Sequence, residues 1–179
     1  MSGDPIDQKG LVDELSSTLT GLGEGDRTRA MELLGRLVAD WAREADPQPG
    51  PAAVVRYQRQ DLETAIARSG DDPLQGIELE LLRRRLDHLS AETFGLAEDT
   101  VDGKLDAADS GERGRALLVQ CKEVAAELDR LGSNETTDAM RRSLGEAFLD
   151  ALYAVERKAM SQRLAHARPG AGNGPPDIS

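Results

Sequence analysis

Between Glu98 and Asp109 an acidic chain gathers five carboxylates, and this is where its residues have the spacing to do chemistry. Laid on a helix, Asp99, Asp102, Asp106 and Asp109 recur at steps of 3, 4 and 3 and share one face. Val101, Leu105 and Ala108 fall on another. Four carboxylates on one face repel, so the stripe weakens a helix unless cations or basic side chains lie against it. The stripe is therefore a candidate metal site or a docking face for a basic partner.

The same residues can be read as a calcium loop. Counting from Glu98 as position 1, Thr100, Asp102, Gly103, Leu105, Asp106 and Asp109 fall at positions 3, 5, 6, 8, 9 and 12. Position 1 departs from the expected Asp, and position 12 from the bidentate Glu, so the ion taken would be calcium held weakly, or magnesium. An acidic chain produces such patterns readily. A solvated acidic helix or turn is the favoured reading, ahead of docking, with metal binding last; no cofactor is predicted.

Other chemistries lack their residues. A di-iron bundle needs several Glu and paired Glu-x-x-His motifs, but the only histidines are His88 and His166, and neither follows a Glu by three. One cysteine and two distant histidines cannot build a zinc site. Gly21, Gly23 and Gly25 lack the Gly-Lys-Ser/Thr ending of a phosphate loop. Cys121 falls on a leucine seam, where a thiol is buried and inert. His88 reads as a surface histidine, and Tyr57 with Asp61 as a chance pair one turn apart. No catalytic residue is assigned.

The elements that would position these residues are helices. Apolar residues at helical spacing define six of them: about Pro5 to Leu22, Asp26 to Ala45, Ala52 to Ser69, a long one opening at Pro73, Gly111 to Leu131, and one capped by Asn134. Leu79, Leu82, Leu86, Leu89, Thr93 and Leu96 alternate in steps of 3 and 4, a seam of the coiled-coil type. Leu117, Cys121, Val124, Leu128 and Leu131 repeat it, so the two seams are expected to pack on each other inside the fold, a homodimer surface being the alternative. On the last helix Met140, Leu144, Phe148, Leu152, Val155 and Ala159 line the expected inner face. The predicted fold is an all-α antiparallel bundle of about six helices. Residues 1–46 form an N-terminal helical pair, 47–51 a Pro/Gly break, 52–168 the main bundle, and 169–179 a disordered tail.

Composition agrees. Aromatic residues are only 3% of the 179, so Leu, Ala and Val supply a core suited to helices. The formal charge of -11 opposes binding to nucleic acid or to an anionic membrane surface. Arg83, Arg84 and Arg85 fan out around a helix axis and read as a solvated run. No apolar stretch reaches the 18 residues of a membrane span, the start lacks a secretory signal pattern, and a lone cysteine fits a reducing setting; a cytoplasmic location is expected. Three functions remain: a regulatory or adaptor protein working through helical faces, a small-molecule binder or enzyme with an interhelical pocket, and an accessory subunit of a larger assembly. The first is preferred, with a partner whose surface is basic.

Overall fold

The structure, a computed structural model, describes residues 7–45 and 51–167, with side chains over 7–44 and 55–157. Six helices account for the described residues, with no strand among them: α1 (Gln8–Thr18), α2 (Glu24–Ala45), α3 (Pro51–Arg68), α4 (Pro73–Val101), α5 (Ala107–Leu131) and α6 (Glu135–Ala167). The helix expected from Pro5 starts later. Asp7 is its cap, accepting the Gly10 N–H at 3.0 Å. The Asp4 cap, most of the Pro/Gly break and the tail over 169–179 lie outside the described residues. Asp26 sits inside the first turn of α2 rather than capping it.

Two caps are as the sequence predicts. Asp72 accepts the Gln75 N–H at 3.1 Å, with Pro73 at the first helical position. At the start of α6 the bonds are reciprocal: Asn134 Oδ1 accepts the Thr137 N–H at 2.9 Å, and Thr137 Oγ1 accepts the Asn134 N–H at 2.8 Å. This satisfies two amides that the helix itself leaves unbonded.

The chain forms two compact units, Met1–Arg85 and Leu86–Ser179, and α4 begins in the first and ends in the second. In the first unit one core joins Leu15 and Leu19 to Ala30, Leu34, Leu37, Val38 and Trp41 of α2, with Leu62 of α3 and Ile77 of α4. The helical pair of the N-terminus thus shares its core with α3 and the start of α4. Ion pairs rim it. Glu80, only 2% exposed, takes a two-pronged bond from Arg83 at 2.8 and 2.9 Å. Arg83 also reaches Asp61 of α3 at 3.3 Å.

In the second unit α6 runs antiparallel to α5. Gly114, early in α5, faces Ala151, Ala154 and Val155, while Arg141, early in α6, bonds the carbonyls of Leu128 and Gly132 at 3.0 and 3.3 Å. The approach is close because Gly111 and Gly114 are buried glycines. A Cβ on Gly114 would stand 2.8 Å from Val155 Cγ2 and 3.0 Å from the Ala151 carbonyl oxygen.

That closeness corrects the expected inner face of α6. Met140 and Leu144 are buried as predicted, but the buried stripe then continues through Ala147, Ala151 and Ala154. Val155, expected inside, is half-buried and stands against Gly114, whereas Phe148 and Leu152 lie one residue around the helix from the buried stripe, Phe148 37% exposed and Leu152 half-buried. Alanines and the Val155 methyl fit against Gly114 at this distance; a phenyl ring does not. The side chain of Ala159 lies outside the described residues.

Two substitutions separate these environments. Gly114→Ala forces α5 and α6 apart and is expected to cost about 1–3 kcal/mol in denaturant unfolding. Gly145→Ala, on α6 where an added Cβ meets nothing within 4 Å, is expected to stabilise by roughly 0.4–1 kcal/mol.

Candidate interaction surface

The acidic stretch forms neither a single helix nor a twelve-residue loop. α4 continues to Val101 and α5 starts at Ala107. Between them Gly103 takes a φ of 69°, a left-handed conformation that ends the helix and reverses the chain. The four aspartates of the predicted stripe are thereby divided among different tasks. Asp99 stays on α4, and Asp102 lies in the turn. Asp106 becomes the N-cap of α5, accepting the N–H groups of Ala108 and Asp109 at 2.7 and 2.9 Å. Asp109 lies in the first turn of α5, where its charge faces the positive end of the helix dipole.

The cation that answers this charge belongs to the chain. Lys104 Nζ stands 3.2 Å from Asp99 and 3.0 Å from Asp102. Hydrogen bonds to Asp102 and then Asp99 raise its pKa above the ordinary lysine value. All three side chains are well exposed, so the pairs contribute little to stability. Among the described residues no three His, Cys, Asp or Glu side chains come together so as to hold a metal ion.

Beneath this turn the helices are locked by buried groups. Thr100 Oγ1 donates to the Leu96 carbonyl at 2.7 Å and meets the Ser110 hydroxyl of α5. Arg157 of α6 donates to the Thr100 carbonyl at 2.8 Å. The leucine seams lie inside the chain. Leu79 and Leu82 are buried in the first unit; Leu86, Leu89 and Leu96 on α4, and Leu117, Val124 and Leu128 on α5, are buried in the second. Leu131 is half-buried at the end of α5. Cys121 is buried with them, and burial pushes its thiol pKa up, away from the reactive thiolate.

What the structure leaves uncovered is the outer side of α6. Leu149 is 63% exposed and Tyr153 45%, and Phe148 and Leu152 stand beside them. Phe148 with Leu152, and Leu149 with Tyr153, are each four residues apart, so the four side chains make one patch. Glu146 and Glu156 are exposed one turn before and after it, with half-buried Asp150 alongside. Reading the sequence for a single inner face missed this patch. The signal was present in a second stripe, Ala147, Ala151 and Ala154, which parts from the leucine stripe after Leu144, and in the Gly111-x-x-Gly114 spacing opposite it.

A second feature is an open groove of about 440 Å³ between α4 and α5. Leu96 and Leu117 line it with Gly95, and Glu92, Asp99 and Arg113 bring charge to it. No family model, curated protein or solved structure matches the chain.

Two measurements check the roles given to the acidic turn. Asp106→Ala is expected to lower stability by about 1 kcal/mol through loss of the cap, while Asp102→Ala changes it by less than about 0.5 kcal/mol. Calcium or magnesium added to chelator-treated protein is expected to leave the melting temperature unchanged, since Asp99, Asp102, Asp106 and Asp109 are not assembled into a ligand set among the described residues.

Proposed function

We propose that the protein is a regulatory or adaptor protein that binds another protein through the outer face of α6. The observation that carries this reading is the shift of the buried stripe of α6 onto three alanines, which leaves Phe148, Leu149 and Tyr153 exposed with half-buried Leu152 beside them. Met31, Tyr57, Phe94, Val101 and Val119 are also exposed, but it is a contiguous patch of large apolar side chains such as the one on α6 that marks an interaction site. Phenylalanine and tyrosine are among the residues that anchor such interfaces.

The flanking charge fits one kind of partner. Glu146, Asp150 and Glu156 surround the patch, and the chain carries a formal charge of -11. An amphipathic segment with apolar anchors and basic flanks would bury its apolar side on α6 and meet carboxylates at the rim. A second copy of this chain would bring the same acidic rim against itself. The acidic turn from Asp99 to Asp109 adds to the negative field that steers a basic partner. A small-molecule function has one supporting observation, the groove between α4 and α5, whose volume falls in the range of ligand pockets.

A photo-crosslinking residue placed at position 149 in the host is expected to trap a different, basic protein. Leu149→Glu combined with Tyr153→Glu is expected to reduce capture of that protein at least tenfold, while shifting unfolding by no more than about 0.5 kcal/mol per site because both side chains are exposed. Crosslinks only between copies of the chain, or capture unaffected by the double variant, would contradict the proposal.

A further inference from the structure

In the first unit, α2, α3 and α4 contribute side chains to a buried polar cluster that none of the preceding roles uses. Glu44 of α2 sits at its centre. Its carboxylate accepts Gln58 Nε2 of α3 at 2.5 Å through one oxygen and the Arg84 guanidinium of α4 through the other. Trp41 stands one turn before Glu44 on the same side of α2. Trp41 is fully buried, Arg84 is 6% exposed and Gln58 9%.

Each of these three side chains keeps one buried polar atom without a partner: Trp41 Nε1, Arg84 Nε and Gln58 Oε1. The first two are donors that cannot accept, and the third is an acceptor that cannot donate. Polar atoms this buried are ordinarily satisfied by protein, water or ligand. Glu44 offsets the charge of Arg84, so the cluster has no call for an ion.

The pattern of donors and acceptor selects the occupant. A carboxylate could take both N–H groups but has no proton for Gln58. An ammonium could serve Gln58 but has no lone pair for the donors. A hydroxyl oxygen has two lone pairs and a proton. We propose that this cluster binds one neutral hydroxyl oxygen, of water or of a small alcohol, which accepts from Trp41 Nε1 and Arg84 Nε and donates to Gln58 Oε1. Three hydrogen bonds is the usual complement of a buried water. Glu44, whose side chain is 33% exposed, connects the cluster to solvent.

Trp41 is the sole tryptophan, so its indole N–H gives one resonance in the isotope-labelled full chain. The expected result is a cross-peak from that proton to water, with the sign of an internal contact, and its loss in Gln58→Met. Titration with methanol distinguishes the sources. Replacement of the water cross-peak by one to the methanol methyl group, saturating with concentration, assigns the site to alcohols, whereas an unchanged water cross-peak assigns it to water. A wild-type indole proton with no cross-peak to either, or a cross-peak that Gln58→Met leaves intact, would overturn the proposal. The wild-type spectrum decides even if the variant does not fold.

Discussion

The second unit depends on how closely α5 and α6 approach. Gly114 has a carbonyl oxygen and a methyl group standing where its Cβ would be, so the spacing of the pair is set by the absence of a side chain. A spacing that short favours small residues from the facing helix, which is why the buried stripe runs on from Leu144 through Ala147, Ala151 and Ala154, with a methyl group of Val155 beside it. Each alanine brings little apolar area, and the larger residues that α6 also carries must go elsewhere. Phe148, Leu149 and Tyr153 go outward, with Leu152 half-buried at their edge. The surface proposed for partner binding is thus a consequence of how the unit closes its own core.

The first unit is built on the opposite principle. Trp41, Leu34 and Leu37 of α2 are fully buried among α1, α3 and the start of α4, and large side chains fill the space between helices. Filling by large residues leaves no comparable outward stripe on α2, where Met31 is the large hydrophobic that remains exposed. It also brings polar groups inside. Glu80 is buried with a two-pronged arginine, whereas the Glu44 cluster retains unpartnered atoms; the contrast between a satisfied and an unsatisfied buried group singles out the second as a binding site.

Much of this was legible in the amino-acid sequence, for reasons that are local. Periodic leucines, Asp72 before Pro73 and Asn134 before the last helix place elements and their ends, because helix periodicity and capping involve residues within a turn of one another. The leucine seams were legible as apolar helix faces, and Leu86, Leu89, Leu96, Leu117, Val124 and Leu128 on them are buried. The acidic stretch was legible only as an acidic helix or turn; how its aspartates divide among α4, the turn and α5 was not, because a left-handed glycine at position 103 breaks the periodic pattern. Nor was the outward face of α6: two apolar stripes overlap there, and which one turns inward is decided by glycines more than thirty residues away on α5. The polar cluster joins positions 41, 44, 58 and 84, and no local pattern connects them.

The most direct test of the outward α6 face is hydroxyl-radical footprinting, comparing the purified chain with the same chain inside its host. The account predicts that Phe148, Leu149 and Tyr153 are oxidised readily in the purified protein and are protected in the host, while exposed Tyr57 on α3 is oxidised equally in both. Equal oxidation of the α6 residues in both settings would contradict it, as would protection of these residues in the purified chain.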